Sequence, residues 1–175
     1  TDISSNAYSG TDSITFKDSN PPEFSATAIE AQNNYVDITF DQPIYGNNSA
    51  SSGIISSSLN AIQTSGTSFT IDFVGLKKND ATTFSSASDL TGGETTIRAF
   101  MDFTSISPSG GEVYAITATS SSSVFDINGN GMLTIQSSIT FILNAPVSGP
   151  VSSDKSILSI TPNNFISDGQ KIVVF

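Results

Sequence analysis

Val36-Asp37-Ile38-Thr39-Phe40-Asp41-Gln42-Pro43-Ile44-Tyr45 is the stretch on which the fold turns. Val36, Ile38 and Phe40 alternate with Asp37 and Thr39, so every second side chain is apolar. A period of two puts one face of an extended strand on a core and the other in water. The pattern recurs in Phe69, Ile71 and Phe73, in Ile97, Ala99, Met101 and Phe103, and in Ile139, Phe141 and Leu143. Turn formers separate these runs: Gly46-Asn47-Asn48, Ser65-Gly66, Lys78-Asn79-Asp80, Gly92-Gly93, Pro108-Ser109-Gly110-Gly111 and Asn128-Gly129-Asn130-Gly131. No segment carries an apolar stripe of helical spacing. Short strands punctuated by turns predict an all-β fold, an antiparallel β-sandwich.

Composition narrows the chemistry. The 175 residues hold 16 acidic and 6 basic side chains, a net charge of −10, with no histidine, cysteine or tryptophan. Without histidine there is no Ser-His-Asp triad and no imidazole base or metal ligand. Without cysteine there is no disulfide framework, zinc knuckle or thiol nucleophile. So few cations cannot build the basic footprint that nucleic acid demands, so no nucleic-acid partner is expected. No apolar run is long enough for a membrane span. A cysteine-free, lysine-poor chain rich in serine, threonine, asparagine and glycine fits the extracellular space or a bacterial cell surface.

The sequence also repeats itself. Asp2-Ile3-Ser4-Ser5-Asn6 leading to Ser13-Ile14-Thr15-Phe16 is echoed by Asp126-Ile127-Asn128-Gly129-Asn130 leading to Ser138-Ile139-Thr140-Phe141, about 125 residues on. A weaker echo links Phe24 through Phe40 with Ile157 through Phe175. The simplest account is a tandem array cut out of phase. Residues 1–20 are the closing strands of one repeat, 22–147 a complete repeat, and 150–175 the opening strands of the next. Pro21-Pro22 and Pro146-Val147-Ser148-Gly149-Pro150 mark the junctions. Orphan strands at either end need partners, found in neighbouring repeats of the same chain or in identical subunits.

Pro22-Glu23-Phe24-Ser25, Val36 through Tyr45, Pro108-Ser109-Gly110-Gly111-Glu112-Val113-Tyr114 and Val124-Phe125-Asp126-Ile127-Asn128-Gly129-Asn130 occur in this order. Together they resemble bacterial Ig-like repeats of the SwmB type, over about residues 22–145. Asp41-Gln42 departs from that pattern, which has Ser-Glu there. The resemblance implies an Ig-like β-sandwich within a large secreted or cell-surface, adhesin-like protein. It implies no catalytic activity.

Candidate sites are sparse. Asp126, Asn128 and Asn130, followed by Gly131, match the opening of a calcium-binding loop, in which alternate oxygen side chains surround a hard cation. Ser137 stands where the bidentate glutamate belongs, so any Ca2+ affinity is weak and no cofactor is required. The competing reading is a polar hairpin turn. Asp18-Ser19-Asn20 at the first junction, joined by Asp41 if the fold brings it near, offers carboxylates for inter-repeat calcium or a capped turn. Glu94 and Asp102 flank Arg98 on one strand face, which reads as a surface ion-pair row rather than a glycosidase pair. Tyr35 falls on the polar face of its strand and is the candidate contact for surface glycans. Ser13, within Asp12-Ser13-Ile14, resembles a bacterial O-glycosylation signal, and Asn47-Asn48-Ser49 is a sequon.

The reading is a non-enzymatic structural or adhesive repeat, a spacer and presentation module. Alternatives are a filament or sheath subunit polymerising by strand complementation, and a carbohydrate-binding accessory module of a secreted hydrolase.

Overall fold

The computed structural model describes residues 17–103 and 107–146. Ser13, most of the closing-strand segment 1–20 and all of the opening-strand segment 150–175 lie outside the described residues. Seven strands follow in order: β1 Phe24–Ile29, β2 Tyr35–Ile44, β3 Leu59–Ser65, β4 Asp72–Lys78, β5 Glu94–Asp102, β6 Val113–Ala118 and β7 Phe141–Ile142. They form two antiparallel sheets, β1-β2-β5-β4 and β3-β6-β7. A single 3-10 turn, Ser56–Ser58, is the only helical element among the described residues.

The alternation does what period two dictates. Val36, Ile38 and Phe40 of β2 and Ile97, Ala99 and Met101 of β5 point inward from one sheet. Tyr114, Ile116 and Ala118 of β6 and Leu59 of β3 meet them from the other. Burying each large side chain contributes roughly 1.5–3 kcal/mol, so this shared layer holds the sheets face to face. Tyr114 keeps its hydroxyl satisfied by donating to the Phe69 carbonyl at 2.7 Å. Two glycine pairs, Gly92-Gly93 and Gly110-Gly111, have φ between 91° and 94°, a region side chains avoid. They turn the chain into β5 and toward β6.

Three expectations need correction. Ile139 was predicted inward but is 58% exposed, while Ser138 is buried. The Ser138 amide donates to the Ile116 carbonyl at 2.7 Å, and its hydroxyl accepts from the Ile116 amide at 2.8 Å. The hydroxyl thus stands in for a backbone carbonyl, the register slips by one residue, and Ile139 turns out. Phe69 and Ile71 pack on the core from the loop before β4, which starts at Asp72 and runs on to Lys78.

Arg98 is the third correction: it is only 8% exposed and does not head a surface row with Glu94 and Asp102. It lies opposite Asp37 on β2 and bonds it bidentately, Nε to Oδ1 and Nη2 to Oδ2, both at 2.7 Å. The loop after β4 folds over this face, and its Ala81 carbonyl accepts a hydrogen bond from Arg98 Nη1 at 2.6 Å. Glu94 instead faces Lys78 at 3.5 Å.

Candidate functional site

The polar side chains that organise the described residues gather at the two ends of β1. At its start, β2 is followed by Tyr45, whose amide and carbonyl exchange hydrogen bonds of 2.8 and 2.9 Å with Phe125. That exchange fixes the hairpin carrying Asp126. The Asp126 side chain is fully buried. Its Oδ1 accepts from the amides of Asn128 at 2.9 Å and Asn130 at 2.7 Å, and its Oδ2 accepts from Asn130 Nδ2 at 2.7 Å. Asn130 Nδ2 also donates to the Asp18 carbonyl at 2.9 Å. Two acceptors face that amide, so its nitrogen must point at them, and its oxygen points elsewhere. The structure therefore builds Asp126, Asn128 and Asn130 into a side-chain-to-backbone turn. No cluster of three or more acidic side chains with metal-binding spacing occurs among the described residues.

The same end grips the chain that enters the domain. The Asn20 amide caps on Asp18 Oδ1 at 3.0 Å, and Gln42 Nε2 donates to the Asn20 carbonyl at 3.3 Å. Asp41 Oδ1 accepts from the Glu23 amide at 2.8 Å, while the Asp41 amide returns a bond to the Glu23 carbonyl at 3.0 Å. Asp18 and Asp41 are thus engaged in turning and docking the junction.

At the far end of β1 the hairpin to β2 holds the chain that leaves. Asn33 is buried with φ of 61°, a left-handed conformation that asparagine tolerates. Its Nδ2 donates to the Asn144 carbonyl at 2.8 Å, and its Oδ1 accepts from the Asn144 amide at 2.9 Å. Asn144 Nδ2 donates to the Glu30 carbonyl at 3.1 Å. Glu30 Oε2 in turn accepts from the amides of Gln32 at 2.9 Å and Asn34 at 3.2 Å, fixing the hairpin.

Tyr35 opens β2 at this hairpin end, on the outer face of the strand. Its ring is half-buried, packs edge-on to Phe100 at 5.6 Å, and carries the Arg98 guanidinium 3.7 Å above its centroid. One face of the ring is occupied by a protein cation rather than open to a sugar. The sequon residue Asn47 spends its amide on Ser51 and Ser52, at 3.0 and 2.8 Å.

Sequence reasoning passed over Asn33 and Asn144, and it read Glu94 only in an ion-pair row and Glu112 only within the resemblance. Thr91-Gly92-Gly93-Glu94 and Ser109-Gly110-Gly111-Glu112 are copies of one tetrapeptide, and the signal lay in the glutamate that follows each glycine pair. Comparison with protein-family models, with curated proteins and with solved structures gives no match, so the functional reading rests on geometry and residues alone.

Proposed function

We infer that residues 22–147 act as a spacer and presentation module, an Ig-like repeat within a large extracellular bacterial surface protein. One observation carries the reading: the entering chain is held at the Phe24 end of β1 and the leaving chain at the Ile29 end. Phe24 pairs with Phe40 and Ile29 with Val36, so the grips lie a strand length apart, about 20 Å. Copies joined through such termini extend as a rod instead of doubling back. Hydrogen-bonded junctions with Pro21 and Pro22 stiffen it, and mutual repulsion of acidic repeats keeps it straight. The test joins two copies of residues 17–146 head to tail and measures their maximum dimension by small-angle scattering. Near-doubling over the single copy supports a spacer; a folded-back pair overturns it.

A second reading, a filament subunit joined by strand complementation, is favoured by one feature. Ser13-Ile14-Thr15-Phe16 copies Ser138-Ile139-Thr140-Phe141, whose Phe141 pairs with Tyr114 of β6. A second copy of a closing strand calls for a second acceptor. Removal of residues 1–20 abolishes polymers if this reading holds and leaves them intact if it does not.

A further inference from the structure

We propose that β3 is a docking edge for a second copy of this chain, the two β3 strands pairing antiparallel to make one continuous sheet, β7-β6-β3 running into its two-fold mate. The inference does not depend on the spacer reading. It starts from how each sheet edge is protected. Unpaired edge strands invite pairing, and proteins blunt them with charge, proline, brevity or a covering segment. The β1 edge is flanked by residues 136–139, tied to it by Thr27 Oγ1 on the Ile139 carbonyl at 2.9 Å and Gln136 Nε2 on Glu23 Oε1 at 3.0 Å. The β4 edge carries Lys77 and Lys78 and is partly covered by its own loop, through the Lys78 amide on the Ser88 carbonyl at 2.9 Å and a bridge between Lys77 and Asp89. The β7 edge is two residues long.

Among the described residues β3 has none of these protections over Leu59–Ile62, while the Gln63 side chain is tied to the Thr67 carbonyl and the Phe69 amide. The strand is seven residues long, Leu59-Asn60-Ala61-Ile62-Gln63-Thr64-Ser65, without charge, proline or glycine, and its one irregularity falls between Gln63 and Ser65. Ile62 stands on its outer face, 48% exposed. Beside it runs a groove of about 620 Å³ between the sheets, lined by Ser57, Asn60, Ile62, Ile71 and Phe73 among others. This is room for the inward side chains of an added strand.

Charge selects the occupant. Every strand charge lies in the sheet β1-β2-β5-β4; β3, β6 and β7 have none. In a chain of net charge −10, two copies meet with least repulsion through the uncharged sheet.

The experiment uses the full chain. Light scattering across a wide concentration range should show a monomer–dimer equilibrium that Ile62→Lys abolishes. Ile142→Lys, at a 55% exposed position on the opposite edge of the same sheet, should leave it unchanged. Because the chain has no cysteine, Ile62→Cys and Ile142→Cys report proximity cleanly with a short thiol cross-linker. Cross-linking at 62 and not at 142 is expected. Circular dichroism establishes that each variant folds. A wild type that stays monomeric throughout, a dimer that survives Ile62→Lys, or cross-linking at 142 in place of 62 overturns the proposal.

Discussion

Glu94 and Glu112 do the same work in the two sheets. Each carboxylate folds back on the Ser/Thr-Gly-Gly turn before it. Glu94 accepts from the Thr91 amide at 2.9 Å, the Thr91 hydroxyl at 3.0 Å and the Gly92 amide at 2.9 Å. Glu112 accepts from the Ser109 amide at 3.0 Å, the Ser109 hydroxyl and the Gly110 amide at 2.9 Å. The second glycine then donates to the carbonyl of a buried apolar residue: Gly93 to Ile44, the last of β2, at 2.8 Å, and Gly111 to Leu143, just past β7, at 2.9 Å. One local device therefore starts β5 against β2 and β6 against Leu143, the residue after β7.

This device makes the fold acid-sensitive. Burial pushes both carboxyls up, but the hydroxyl and amide donors outweigh it, so both lie below the usual value of 4.5. A carboxyl depressed in the folded state stabilises above its unfolded pKa and loses that contribution as pH falls through the folded value. Stability should hold above pH ~5 and decline below the ordinary glutamate range. Glu112→Gln should cost about 2 kcal/mol at neutral pH and flatten that decline. Urea denaturation at a series of pH values measures both; an unchanged acid slope in Glu112→Gln would show that this carboxylate does not contribute.

The bidentate pair on the outer face of β2 and β5 supplies a second prediction. Arg98 holds Asp37, the Ala81 carbonyl and the Tyr35 ring at once, so it fastens the loop after β4 to the sheet. Arg98→Ala strands Asp37 and frees the loop, at about 3 kcal/mol. Arg98→Lys keeps charge but not the fork, and should recover less than half of that. Hydrogen exchange should show loop amides, Ser88 among them, losing protection well before the core of β5. Equal stability of Arg98→Lys and wild type would rule out the fork as the fastening.

Asn33 carries a third. Its side chain is the clamp on the leaving chain, and its φ of 61° suits asparagine or glycine. Asn33→Gly removes the hydrogen bonds alone, about 1–2 kcal/mol. Asn33→Ala adds the cost of the left-handed backbone, for about 3 kcal/mol in all. Chemical denaturation should rank them wild type, Gly, Ala. If Gly equals wild type, the bonds to Asn144 contribute nothing, and the exit is not gripped.

Legibility in the sequence followed distance along the chain. Val36, Ile38 and Phe40 declared a half-buried strand because a period of two reports burial directly. The Thr91–Glu94 and Ser109–Glu112 turns are local and readable as repeated tetrapeptides, although only their glycines were read as turn formers. Ile139 misled, because the hydroxyl of Ser138 replaces a carbonyl only once Ile116 is beside it. Arg98 misled because the loop that buries it is a tertiary feature. The Asn33 clamp joins residues 111 apart, and no local pattern announces such a pair.

Asp126 separates a turn from a cation site. Both its oxygens already face N–H donors: two backbone amides on Oδ1 and the Asn130 side chain on Oδ2. Removing the carboxylate by Asp126→Ala leaves those donors unsatisfied in a buried setting and releases Asn130 from its place over the Asp18 carbonyl. The expected loss is about 3 kcal/mol, with Asp126→Asn intermediate because one acceptor survives. If the residue only builds the turn, millimolar calcium leaves the melting temperature of the wild type unchanged and rescues neither variant. A cation site requires the opposite: calcium raises the wild-type melting temperature, as any ligand of the folded state must, and the rise vanishes in both variants. Differential scanning calorimetry with calcium and with chelator decides between them, and a calcium-dependent rise removed by Asp126→Asn would overturn the turn assignment.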